Sequence, residues 1–192
     1  MSKEQIEAIN SLIVNRRSSY PKEYNGRQIE DAVVMQLLEN ANWAPNHGKT
    51  EPWRFKLFKG GALLALARFQ ADLYKKSTDD ALFTQNKYDR FIEKAKLTSH
   101  VIAICMQKDP KGRIPEIEEI SAVACAVQNI YLSLTAYDLR GYWSTGGGTY
   151  SAEMHKYLGL DETQRCLGFF FLGMSDRPLR EGKRGSVESK LI

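Results

Sequence analysis

Ala44-Pro45-Asn46-His47-Gly48-Lys49-Thr50-Glu51-Pro52-Trp53-Arg54-Phe55-Lys56-Leu57 turns the chain from a helix into a strand. Upstream, Ile29, Val33, Val34, Leu37, Leu38 and Ala41 recur at the helical period, and Pro45 ends that run. Downstream, Trp53, Phe55 and Leu57 alternate with Arg54 and Lys56, the pattern of a half-buried strand, so Trp53 is expected in the core. The intervening loop carries His47, which viewed alone reads slightly more readily as a structural loop histidine than as a donor to a ligand phosphate or ring.

Before this junction, Ile6, Ile9, Leu12 and Ile13 predict an amphipathic helix over residues 3–15. It runs into Arg16-Arg17-Ser18, and Pro21 and Asn25-Gly26 then mark a turn. Guanidinium forks match phosphate and ring carbonyl oxygens. An arginine pair at a helix end also reads simply as a solvated complement to the helix dipole.

After the junction, Gly60-Gly61 breaks the strand and Ala62 to Tyr74 predicts a third helix. Residues 75–98 are polar, with a mixed-charge run from Lys87 to Lys96. A solvated helix is the plainer reading of that run, and a cover over a pocket is the other. Val101 to Met106 and Leu167 to Leu172 are short apolar runs that predict buried strands. Between them, Ile117 to Leu139 predicts a long helix, apolar on nearly every side, either central or packed on a second subunit. Ser151 is placed to cap a short helix over 152–158. The strands are separated by helices, which gives an α/β or α+β class with three to five strands.

The chain has 192 residues, 43% apolar and 26% charged, enough for one domain over residues 1–192 with a real core. Mean hydropathy is negative, and no apolar run approaches the roughly 20 residues of a membrane span. The N-terminal residues lack the apolar core of a secretory signal. Three well-separated cysteines, Cys105, Cys125 and Cys166, argue against a disulfide framework and fit a reducing cytoplasm. Cys105 and Cys125, in apolar segments, read as inert core thiols. Net charge is +4, scattered except at Arg16-Arg17 and in the tail from Arg177 to Arg184, which favours a small anion over nucleic acid as partner.

Gly146-Gly147-Gly148 is not part of a phosphate-loop or dinucleotide fingerprint; its glycines suit close approach of backbone N–H groups to a flat ligand. The histidines and cysteines have no metal-ligand spacing, and no nucleophile elbow or acid–base pair is visible. Such a chain points to chemistry carried by a cofactor rather than by side chains.

Arg16-Arg17-Ser18, the Ala44-Pro45 to Pro52-Trp53-Arg54-Phe55 block, Gly141-Tyr142-Trp143-Ser144, and the ending Leu158-Gly159-Leu160 with Gly168 to Gly173 stand in this order along the chain. Together they resemble the FMN-dependent nitroreductase family, and within it the compact branch named for NAD(P)H nitroreductases. The resemblance implies an α+β fold with a central, mostly antiparallel sheet wrapped by helices. It implies a homodimer with FMN at the subunit interface, NADH or NADPH as reductant, and a small electron-poor acceptor such as a nitroaromatic or quinone. It implies that Arg16, Arg17 and Ser18 hold the flavin phosphate, ribityl chain and pyrimidine edge, and that Trp43 and His47 approach the flavin of the partner. Trp143, Ser144, Thr145 and Gly146 would line the flavin, with a backbone N–H near Thr145 or Gly146 at the reactive N5 edge, and Arg184 would add a phosphate contact. No catalytic side chain is implied. A specialised flavin enzyme, such as a reductive dehalogenase, and a non-catalytic flavin sensor are the alternatives. Gly48, Lys49, Thr50 and Glu51 stand where many relatives carry Asn and Gln.

Overall fold

A computed structural model describes residues 2–192. Six helices surround one four-stranded sheet, all antiparallel, in the order β1-β2-β4-β3. The strands are β1 (Trp53–Lys59), β2 (His100–Gln107), β3 (Arg140–Ser144) and β4 (Gln164–Gly173). The α+β class and mostly antiparallel sheet are as the resemblance implied. The five-residue β3, an edge strand, is an element the apolar pattern did not reveal.

The helices are α1 (Lys3–Asn15), α2 (Asp31–Asn42), α3 (Gly60–Ser77), α4 (Gln85–Leu97), α5 (Glu116–Ala136) and α6 (Ala152–Tyr157). Ser2 caps α1 through a reciprocal capping box with Gln5. Gly60 adopts φ +50° and starts α3 directly, so the glycine pair opens the helix instead of separating it from the strand. The polar run after residue 75 is helical as α4, begun by Thr84 accepting from the Lys87 N–H. The long apolar helix ends at Ala136, because Asp138 takes a left-handed backbone (φ +51°) before β3.

The sheet separates two cores. On one face, Trp53, Ile102, Ile104, Met106, Phe170 and Leu172 pack under α2 and α5. On the other, Phe58, Val101, Ala103, Cys105, Cys166 and Phe169 pack under α3, α4 and α6. Trp53 is 5% exposed, and its Nε1–H donates to Asn42 Oδ1 at 2.8 Å, so its place in the core is as expected. Cys105 and Cys166 are neighbours across β2 and β4, where a register shift follows Ile104. The second thiol beside it, and then burial, push the Cys105 thiol far up. Cys125 is a correction: it lies exposed on the outer side of α5, not in the core.

α1 buries no residue at all, and Ile6, Ile9, Ile13 and Val14 stand exposed. Met35 on α2, Trp43 at its C-terminus and Ile117 on α5 are exposed as well. An amphipathic helix whose apolar stripe is left uncovered within one chain is the signature of a surface that meets a partner.

Candidate functional site

α1 ends at Arg16, where the chain turns extended and runs across the end of β3. The Ser19 N–H donates to Gly141 O at 3.0 Å, which ties this segment to β3. Tyr131, projecting from α5, organises the rest. Its Oη accepts from the Trp143 N–H at 2.9 Å and lies 3.2 Å from Ser18 Oγ. The Arg16 guanidinium carbon sits 5.0 Å above the Tyr131 ring centroid, a cation–π contact. One buried tyrosine therefore joins the arginine-serine turn to β3. Sequence reading passed over it, since a single tyrosine in an apolar helix carries no local signal.

Arg17 serves differently from Arg16. Its guanidinium donates to Val14 O (2.6 Å), Arg16 O (2.8 Å) and Arg180 O (2.9 Å). A side chain at Gly182 would collide with it, the nearest atom lying 2.2 Å from a built Cβ. Arg17 thus pins the tail against the end of α1. Around it lies a cavity of about 500 Å³ lined by Ser18, Ser19 and the tail residues Arg177, Arg180, Lys183 and Arg184. Five cations face two carboxylates there, Glu23 and Glu181, and Glu23 is already paired with Arg180. This is an anion site by charge. It contains the expected Arg17, Ser18 and Arg184.

On the other side of residues 17–23 lies the larger cavity, about 690 Å³, between α3, α4 and the sheet. The size suits a small-molecule pocket. Tyr20, Phe91, Tyr142, Phe169 and Phe171 supply aromatic wall, with Gln70, Ser144, Gly146 and Gly147 as polar lining. The rings of Tyr20 and Tyr142 are 4.7 Å apart and tilted by 48°. Gly147 has φ +68°, and a Cβ there would lie 2.8 Å from Gln70 Nε2, so the glycine run lets backbone reach this wall.

Of the residues implied by the resemblance, Ser144 and Gly146 border this larger cavity. Thr145, between them, is exposed. Trp143 points its side chain to the opposite side of β3, toward α2 and α5, with Nε1 buried against Gly168 and without a hydrogen-bond partner. Trp43 is 81% exposed, and His47 lies at the surface with Nδ1 2.6 Å from Glu118 Oε2. Neither lines either of the two cavities described, and the His47 contact places that residue next to the start of α5.

The loop between α2 and β1 is strained. Gly48, Lys49 and Glu51 all have positive φ (63°, 54° and 44°). A left-handed non-glycine residue costs about 1–3 kcal/mol, and such positions gather at functional sites. Asn46 Oδ1 holds the turn by accepting from the Glu51 N–H at 3.1 Å.

α4 contributes what the charge run concealed: Lys87, Arg90 and Lys94 line the larger cavity. Lys94 is held below the usual lysine range, first by loss of water and then by the neighbouring charge of Arg90. No cluster of metal-ligating side chains is present among the described residues, and no helix there is long and apolar enough to cross a membrane.

The Nitroreductase family model matches residues 13–174, and the chain belongs to the nitroreductase family. Among curated proteins it is 26% identical over 191 residues to YfhC of Bacillus subtilis (strain 168), covering 97% of this chain and 94% of that protein; YfhC is provisionally named an NAD(P)H nitroreductase. Among solved structures, a nitroreductase-like family protein from Bacillus cereus superposes with TM-score 0.79 at 25% identity, covering 96% of this chain and 94% of that one. The FMN-dependent nitroreductase NfnB from Mycobacterium smegmatis, solved with NADPH, matches with TM-score 0.77 and 98% coverage of both chains, at 14% identity, a likeness of fold.

Proposed function

We propose that this chain is an FMN-dependent oxidoreductase of one domain. It takes electrons from NADH or NADPH and delivers them to electron-poor small molecules, nitroaromatics and quinones, in a ping-pong cycle. The names of YfhC and NfnB support this reading, and so does the placement of the two cavities. The observation that carries it is the division of one segment between two cavities: Arg17, Ser18, Ser19 and Glu23 line a cationic one, and Tyr20, Pro21 and Lys22 line an aromatic-walled one. A phosphate at one end of a chain and a flat ring at the other require that pairing.

The residues present fit the cofactor. Arg184, with Arg177 and Lys183, offers cations to a phosphate, and Ser18 offers a hydroxyl. Arg17 closes this end by fixing the tail through Arg180 O. Arg16 is held over the Tyr131 ring, beside Ser18, and keeps a positive charge next to that hydroxyl. The Gly146 N–H donates to Ser144 Oγ at 3.2 Å, so of the two backbone N–H groups at this turn the Thr145 N–H is the one we assign to the ring's N5 edge. Bound FMN supplies the hydride chemistry, so the protein's part is orientation and charge, without a side-chain acid–base pair.

The exposed apolar residues of α1, with Met35, Trp43 and Ile117, support a homodimer. In that assembly Trp43 and His47 reach the partner's flavin, and the site is complete only as a dimer. A cytoplasmic place suits a nicotinamide-dependent enzyme with three free thiols.

The test is the visible spectrum of the purified protein before and after anaerobic NAD(P)H. A flavin band that bleaches, and returns on addition of a nitroaromatic or quinone, is the expected result. No band even after FMN is supplied overturns the reading. A band that NAD(P)H leaves untouched converts the protein into a flavin-binding scaffold.

A further inference from the structure

The larger cavity is more positive than a flat neutral ring requires. Lys87, Arg90 and Lys94 occupy α4 at spacings of three and four residues, so they share one helix face. Lys22, from the turn at Pro21–Glu23, faces them across the cavity. Glu93 is the single carboxylate in that lining. Among the described residues none of the four cations forms an ion pair, whereas Lys59, Lys76, Lys108, Arg27, Arg165 and Arg180 each do. Lys87 rests instead on the Tyr74 ring, 4.3 Å from its centroid. Desolvation and the charge of Arg90 both work against the Lys94 ammonium, with no carboxylate offsetting them. Like charges gathered without a counter-charge raise one another's cost, and an anion between them removes it.

On the reading above, that anion is not the flavin phosphate, to which the smaller cavity offers Arg177, Lys183 and Arg184. The planar fork of arginine suits the bidentate capture of a carboxylate or phosphate, and two lysines beside it add field rather than geometry.

We propose that Arg90, flanked by Lys87 and Lys94 and faced by Lys22, anchors an oxyanion carried by the substrate, so that the enzyme favours anionic substrates over neutral ones of the same shape. The oxyanion is a phosphate of the nicotinamide dinucleotide or the carboxylate of an aromatic acceptor. This inference rests on the flavoenzyme reading above, in that the cavity is taken as the place where substrates meet the flavin.

The experiment uses the flavin-loaded protein and Arg90→Gln side by side. Calorimetry with benzoate and its neutral isostere benzamide reads binding without turnover. The wild type is expected to hold benzoate about 10–100-fold more tightly, the worth of a charge-assisted hydrogen bond, and Arg90→Gln to erase most of that ratio. In parallel, the ratio of kcat/KM for NADPH over NADH is measured in both proteins. Collapse of the benzoate ratio alone assigns the anchor to acceptor carboxylates, and collapse of the NADPH ratio alone assigns it to the 2′-phosphate. Both ratios unchanged by Arg90→Gln overturn the proposal, as does loss of FMN from the variant, which assigns Arg90 to the cofactor instead. If the wild type binds no FMN, the functional reading fails by itself, and benzoate against benzamide on the flavin-free protein still decides whether the anchor exists.

Discussion

Alternate residues of β2 face opposite sides of the sheet, and the two sets differ in size. Ile102, Ile104 and Met106 point to α2 and α5; Val101, Ala103 and Cys105 point to α3, α4 and α6. Both sets are buried: Ile102, Ile104 and Met106 are 0% exposed, and Val101, Ala103 and Cys105 are at most 2% exposed. The second side has shorter side chains at the same spacing, and there α4 stands off far enough to leave the 690 Å³ cavity. One face of the sheet is thus closed under two helices, and the other carries the larger cavity, which Val101 alone of these β2 residues lines. The outer helices follow the same division. α5, well packed beneath, leaves Ile117 exposed on its outer side, and α4, with only Ala95 buried, keeps Lys87, Arg90 and Lys94 exposed where they line the cavity.

The sharpest way to break this comparison is at two adjacent phenylalanines of β4. Phe170 is fully buried against Tyr131 (ring centroids 4.7 Å apart) on the filled side, and Phe171 lines the cavity on the other. Phe170→Ala is expected to cost about 3–5 kcal/mol, transfer plus cavity. Phe171→Ala is expected to cost only about 1–2 kcal/mol, because it widens a space that is already there. Urea unfolding of both variants checks this. Equal losses would mean that the two faces are packed alike.

Tyr131→Phe tests the link between the faces, since this side chain reaches from the filled side to the Arg16-Arg17-Ser18 turn. Removing Oη leaves the Trp143 N–H and Ser18 Oγ without that partner. A stability loss of about 1–3 kcal/mol is expected. Weaker FMN retention is expected with it, read from the flavin-to-protein absorbance ratio after gel filtration. Full retention of FMN with the same stability loss would confine Tyr131 to the core.

How far the sequence alone reached follows from the same division. The filled face was legible: Trp53-x-Phe55-x-Leu57 and Val101 to Met106 are strong patterns, and both are strands. β3 was not, because five residues that include Gly141 and end on Ser144 carry too few apolar positions to show a period. Lys87, Arg90 and Lys94 were seen only as part of a charge run. Their three-and-four spacing is the same whether a helix turns its charges to solvent or to a cavity, and only the folded position of α4 beside the cavity decides between the two. The α1 stripe was read as amphipathic, correctly, but an apolar period says nothing about whether its cover comes from the same chain. Arg16-Arg17-Ser18 was legible as a unit through the family pattern; the split between Arg16 on Tyr131 and Arg17 on three carbonyl oxygens is a matter of distances that residue types do not carry.

The smallest effect concerns an exception on the filled face itself. Glu119 of α5 is 1% exposed, and neither carboxyl oxygen has a side-chain partner. Burial raises its pKa, with the nearby negative charges of Asp109 and Glu116 adding to the shift and an Asp109 backbone hydrogen bond and the Lys108 charge working against it. A carboxyl whose pKa is higher folded than unfolded leaves stability intact below its unfolded value and subtracts from it as pH rises through the folded value. Glu119→Gln, which keeps the neutral shape, should therefore match the wild type near pH 4 and become the more stable protein toward neutrality. The expected gain is about 1 kcal/mol, or about 2–4 °C in Tm for a chain of this size. Thermal melts of the two proteins from pH 4 to 8 measure the gap. A gap that stays constant with pH would show that Glu119 has the same pKa folded and unfolded, and that the filled face accommodates its charged carboxylate without cost.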